Sequence, residues 1–396
     1  MTPVAVTGCA ALTPLGDRVD ALAEALAAGR CAVLPQPDLG GAGAATMGDF
    51  DATTYCNVRG LRLYSRPTRL GIAAVAVALA DAGLEPAAVA GEGLGTVTAS
   101  TFGHLETLFE YDRSVVAQGP LRGNPALMPL ALPSSPGAAI ALSFVAKAFS
   151  LSLSDGGAGS LDALGLGARL VAEGRARVAV VVGAFGLCPE LQAAARRAEL
   201  LAPDGAVRPF DRRRRGTALA DGAAAVVLER LPDARARGAE PRGFVAGQAS
   251  AFSADPAGRA AALARACRGA LSASRVAPAE VGLVSAGAGG SVEGDRAEAQ
   301  ALVEVLGSAA PFTPVAAVKG NLGDAVDASG LLQAVVALAA LRAGKAPRIA
   351  GLEAPEVAGL GYLDRPGDVT APSALVTATS LAGAASALVL TARHDG

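Results

Sequence analysis

The chain has 396 residues, a net charge of −2, and 52% hydrophobic against 18% charged residues. That is ample apolar material for one large core and far too much for a disordered chain. The balanced charge argues against nucleic acid or an anionic membrane surface as the main partner. With no Trp and only 4% aromatics, a stacking platform for single-stranded nucleic acid is equally disfavoured.

In chain order, short β-branched runs alternate with Ala- and Leu-rich stretches of helical spacing. Val4–Val6 reads as a buried strand, Asp20–Ala28 and Arg69–Ala82 as helices, and Gly95–Thr98 as a strand. Leu161–Glu173 follows as a helix, then Val178–Val182 and Ala223–Leu228 as strands. Leu231-Pro232-Asp233 and Arg235–Pro241 form a polar connection, which suggests halves at 1–235 and 236–396. The rhythm then restarts with strand Phe244–Ala246 and helix Ala257–Ala273, followed by strands Val281–Ser285, Val315–Val318, Ala374–Ala378 and Ala387–Thr391. Such alternation predicts α/β layers around a mostly parallel sheet. No close internal repeat is visible, so a duplication rests on rhythm alone.

The five cysteines, Cys9, Cys31, Cys56, Cys188 and Cys267, are scattered and form no Cys-x-x-Cys pair. Buried free thiols in a reducing cytosol are the expectation, with no metal. The start, Met1-Thr2-Pro3-Val4, lacks a basic and apolar leader, so no signal peptide and a cytoplasmic location are expected. Residues Ala371–Ala392 carry no charge over a membrane-span length, but their Ser, Thr, Gly and Ala content predicts strand, loop and strand. Arg212–Arg215 is the one basic cluster and reads as a solvated turn, or as a contact for an acidic carrier protein.

The segment Ser154-Asp155-Gly156-Gly157-Ala158-Gly159-Ser160-Leu161-Asp162-Ala163-Leu164 resembles the nucleophile turn of the β-ketoacyl synthase family, which reads Thr-Ala-Cys-x-Ser-Gly before Leu-Asp-Ala. Further landmarks of that family follow in order. Val4–Gly8 with Thr13–Gly16 is similar to its opening. Arg208-Pro209-Phe210-Asp211 with Arg215-Gly216 and Asp221-Gly222-Ala223 is similar to its central signature. Val318–Gly323 resembles its lysine motif and Ser380–Ala385 its C-terminal glycine loop. The resemblance implies a thiolase-like fold, a duplicated α/β unit forming a five-layer α-β-α-β-α sandwich, and a dimer.

Ketosynthase condensation needs a thiolate, which a helix N-terminus favours, and two imidazoles that promote decarboxylation and stabilise the enolate and oxyanion. On the resemblance, Gly157 stands where the cysteine belongs, Gly287 takes the place of the first histidine and Asp324 that of the second. Lys319 is retained, but its usual glutamate partner reads Gln333; Leu381 replaces the gating Phe and Ala385 the loop Asn. A check free of alignment agrees: the chain holds only two histidines, His104 and His394, expected to be a structural or partner-contacting residue and a solvated tail residue. Glycine cannot form an acyl-enzyme, so no residue of this chain is expected to be a ketosynthase catalyst and no cofactor is expected.

The resemblance is to the chain-length factors of type II polyketide synthases, non-catalytic subunits that pair with an active ketosynthase and shape the tunnel for a chain delivered by acyl carrier protein. It implies that Ala148–Ser154 pairs across the dimer, that Phe102–Val116 and Asn124–Leu132 lie near that interface, and that Thr107, Phe109, Met128 and Leu381 border the tunnel. For Phe109 and Met128, ordinary core packing is the competing reading. The alternative function is a standalone enzyme acting on acyl thioesters by other chemistry, through Asp324 and Lys319. Asp324 and Asp327, three apart, read either as paired carboxylates or as helix caps.

Overall fold

The computed structural model describes residues 2–37 and 41–394. Its two halves follow one plan. In the first, the spatial order of strands is Phe149–Leu153, Leu94–Ala99, Val178–Phe185, Gly222–Arg230, Val4–Leu12, which in chain order is third, second, fourth, fifth, first. In the second, Pro314–Ala316, Leu283–Ser285, Ser373–Thr379, Ala384–Thr391 and Gly243–Phe252 repeat that order. In both, only the fifth strand in chain order runs antiparallel to the rest. A two-residue strand, Gly361–Tyr362, extends the far edge. Val4–Val6 pair with Gly243–Val245, which joins the two ladders.

Strand side chains alternate between two cores, as a period of two requires. Ala179 and Val181 face a central core, while Val178, Val180 and Val182 face an outer one. Val376 and Leu388 face the centre, while Leu375 and Val389 face outward on the other side. Helices Gly156–Ala172 and Ser329–Ala343 fill the central layer between the sheets. Helix Arg66–Asp81 covers the outer face of the first sheet, and helices Arg259–Ser274 and Val292–Leu306 cover that of the second. This is the expected five-layer, duplicated thiolase-like sandwich, and burial on both faces explains the near-continuous Val and Ala runs. The central helices approach closely because residue 330 is glycine: a Cβ there would lie 2.6 Å from Ser160 Oγ and 2.9 Å from Leu161 Cγ.

Several sequence expectations need correction. The nucleophile-turn helix starts at Gly156 rather than Leu161, and Val318 caps the short helix Lys319–Leu322 instead of ending a strand. Helix Ser329–Ala343 is buried on nearly all sides and therefore shows no amphipathic period; with the turn before it, Val326–Ala343 is long and apolar enough for a membrane span, yet it sits in the core. The uncharged Ala371–Ala392 stretch forms a hairpin of paired strands, as expected. Cys31 is exposed and Cys56 partly so, leaving three cysteines buried. Arg214 is not part of a solvated turn: it is 4% exposed, donates to the carbonyls of Asp211, Ser291 and Val292, and pairs with Glu356.

Candidate functional site

The end of strand Ser373–Thr379 is where the vacant positions converge. Gly157 is in the first turn of helix Gly156–Ala172, and a Cβ built there would meet the carbonyl oxygen of Thr379 at 2.8 Å. A Cβ on Gly287 would meet the Thr377 carbonyl, also at 2.8 Å, and Ala378 Cα at 3.2 Å. Real Cβ contacts are longer than this. At both glycines, which the resemblance aligns with the family's cysteine and first histidine, backbone of one strand therefore leaves no room for a side chain.

Around them the family's polar framework is turned to structural ends. Glu298 accepts from Gly287 N at 2.8 Å and from Thr377 Oγ1 at 2.5 Å, and burial pushes its carboxyl up to about 7. Asp295 accepts from the backbone N–H groups of Phe210, Gly289 and Gly290, which ties the central signature to the glycine loop. Asp211 of that signature accepts from Arg213 N, Glu353 N and Ala354 N.

At the second-histidine position, Asp324 Oδ2 lies 2.9 Å from Lys319 Nζ. Its Oδ1 accepts from Val326 N and Ser329 Oγ. Burial acts to raise the Asp324 carboxyl, but the Lys319 charge and these hydrogen bonds outweigh it and hold the group below the ordinary carboxylate range. So the replacement residue neutralises the retained lysine. Gln333 instead donates to Thr377 O at 2.9 Å and Ser285 O at 3.3 Å.

Asp324 and Asp327 have different partners. Asp327 faces the other half of the molecule, accepting from Thr101 N at 2.9 Å and Thr101 Oγ1 at 2.5 Å. With Phe102, His104, Glu106, Phe185 and Cys188 it lines a narrow cleft beneath helix Leu105–Gln118. The sequence reading missed this cleft, because its walls come from five segments far apart in the chain. The only signals were the Phe102–Glu106 stretch beside one of the two histidines and the unexplained Asp327.

His104 is 2% exposed and bonds through Nε2 to Thr68 Oγ1. Burial lowers its pKa from 6.5 to about 4, so it is neutral at physiological pH. A depressed folded-state pKa means the unfolded chain takes up the proton first; the associated stability is complete above pH 6.5 and is lost as pH falls through about 4. The full effect is on the order of 3 kcal/mol. His104→Gln should therefore show a smaller drop in urea midpoint between pH 7 and pH 4 than the parent; equal drops would refute this assignment. His394 is exposed at the chain end with its ring 5.7 Å from that of Phe244.

The residues assigned to the tunnel and interface lie outside this centre. Helix Leu105–Gln118 has no buried residue; Thr107 and Phe109 on it are half-buried and Met128 is exposed, which corrects the core-packing reading for Phe109 and Met128. Leu381 is 71% exposed at the hairpin tip, where its carbonyl accepts from Arg259. Strand Phe149–Leu153 ends the sheet, pairing only with Leu94–Ala99. Leu142, Val145 and Leu151 are exposed beside that free edge, and the helices Leu105–Gln118, Met128–Ala131 and Ser135–Ser143 pack in series toward it.

A thiolase-like fold with its motifs in condensing-enzyme order defines a ketosynthase-like protein. The comparisons agree. The family profile "Beta-ketoacyl synthase, N-terminal domain" matches residues 1–234, and "Beta-ketoacyl synthase, C-terminal domain" matches 239–353. The chain belongs to the β-ketoacyl synthase family. It is 34% identical over 403 residues to the tetracenomycin polyketide synthase ketoacyl synthase beta subunit of Streptomyces glaucescens, covering 98% of each chain. To the alpha subunit of the same organism's synthase it is 31% identical, covering 89% of this chain and 88% of that one. The solved structure titled "The ishigamide ketosynthase/chain length factor" superposes with a TM-score of 0.91 at 25% identity, covering 99% of this chain and all of that one.

Proposed function

We propose that this chain is a chain-length factor: a non-catalytic subunit that pairs with an active ketosynthase and shapes the tunnel for the growing chain. The observation that carries this reading is the occupation of both catalytic positions by backbone, with Thr379 O and Thr377 O standing 2.8 Å from where the side chains of residues 157 and 287 would begin. The similarity to a ketoacyl synthase beta subunit, end to end, supports it. The partner would be a ketosynthase with intact cysteine and histidines, supplied by acyl carrier protein. The docking face is the free edge of Phe149–Leu153 with Leu142, Val145 and Leu151, since an unpaired edge strand beside apolar side chains calls for cover.

The alternative, independent chemistry through Lys319 and Asp324, is disfavoured by their pairing: Asp324 Oδ2 lies 2.9 Å from Lys319 Nζ, and a carboxyl held below the ordinary range is a poor general base. On this reading Thr107, Phe109 and Met128 border the tunnel. The test is co-expression with an intact ketosynthase, with size-exclusion and product analysis. A 1:1 complex is expected, with Phe109→Ala lengthening and Phe109→Trp shortening the products, and likewise at Met128. Unchanged products at normal complex yield would remove these residues from the tunnel, and an active chain alone would overturn the function.

A further inference from the structure

We propose that Asp327 is a positioning residue: it clamps Thr101 and so seats helix Leu105–Gln118, the element offered to the partner. That helix has no buried residue of its own, so its placement depends on how its leading segment, Ser100–His104, is held. That segment is fixed at every step. Ser100 N donates to Leu153 O, and Ser154 Oγ donates to Ser100 O at 2.7 Å. Thr101 gives both its N–H and its hydroxyl to the Asp327 carboxylate, at 2.9 and 2.5 Å. The same hydroxyl oxygen accepts from Gly156 N at 2.9 Å, at the start of the helix that carries Gly157. Gly103 has φ +56°, where a Cβ would lie 2.7 Å from the Leu132 carbonyl oxygen, and His104 bonds Thr68.

Asp327 reaches Thr101 from the opposite half of the chain, 226 residues away. It is 3% exposed, and its carboxylate is matched by hydrogen-bond donors rather than by a cation. Hydrogen bonds to an ionised, buried acceptor are among the stronger kind, and they are costly to leave half-made. The preceding residue, Val326, has φ +34°, which a β-branched side chain adopts only under constraint. The constraint is visible on both sides: Asp324 holds Val326 N, and Asp327 holds Thr101. The loop of the lost second histidine has thus become a clamp joining the two halves at the foot of the exposed helix. The partner-facing role of that helix rests on the function proposed above; the clamp does not.

Hydrogen–deuterium exchange on the isolated full-length chain tests it. In Asp327→Asn and Thr101→Val, amides within 105–118 should exchange about tenfold faster, while those of Arg259–Ser274 stay unchanged. Thr101→Ser keeps the hydroxyl and should restore the parent pattern. Unchanged exchange at 105–118 in Thr101→Val, or equal loosening of both helices, would overturn the clamp. If Asp327→Asn does not fold, the Thr101→Val and Thr101→Ser pair still decides. If the parent chain binds no intact ketosynthase, the proposed function fails, and the exchange result stands or falls separately.

Discussion

Given acyl and malonyl thioesters on carrier protein, the purified chain should form no carbon–carbon bond, and Gly157→Cys should not restore one. Three separate barriers stand in the way. The parent has no sulfur at the helix start, so no acyl-enzyme can form. A cysteine placed there would gain from the helix N-terminus, but the chain's two histidines are engaged elsewhere, His104 with Thr68 and His394 against Phe244. General acid–base groups commonly supply about 10²–10⁴ in rate, so a lone thiolate falls short even if acylated. Finally, its Cβ would begin 2.8 Å from Thr379 O, within a strand that is hydrogen-bonded along its length to Ala384–Thr391. Overpacking of that kind costs about 1–3 kcal/mol. The measurements are malonyl decarboxylation, condensation product, and unfolding midpoint for parent and variant. Turnover by Gly157→Cys within tenfold of an intact ketosynthase would refute the reading of a closed site.

The second large effect concerns assembly. Leu151→Asp should weaken the complex with an active ketosynthase by about 2–4 kcal/mol, enough to separate the subunits at micromolar concentration. Leu151 is 38% exposed on the outermost strand, so the isolated chain should keep its stability within about 0.5 kcal/mol. A charge at the centre of a dry strand-to-strand contact has no partner and loses its water. Phe312→Asp is the control. Phe312 is 80% exposed on the other half of the molecule, and its substitution should leave the complex intact. If Leu151→Asp also left it intact, the edge strand would not be the docking face.

Sequence alone was sufficient for the framework. Val and Ala runs between helical stretches announced buried strands in layers, because side-chain period and burial are local consequences of residue type. The residue chemistry was equally plain: a glycine has no nucleophile, and a chain whose two histidines are His104 and His394 has none to place beside Gly157. Helix Ser329–Ala343 was invisible to periodicity because it is buried on nearly all sides.

What only the tertiary structure decided is how the vacated space is used. Whether a missing side chain leaves a hole depends on neighbours distant in sequence, and here strand Ser373–Thr379 closes on Gly157 and Gly287 from more than eighty residues away. Sequence read Asp324 at the place of a family histidine but not as the counter-ion of Lys319, which is a matter of 2.9 Å in space. Asp327 gave no sign of its partner, because Thr101 belongs to the other half and the pairing exists only once the two sheets have packed.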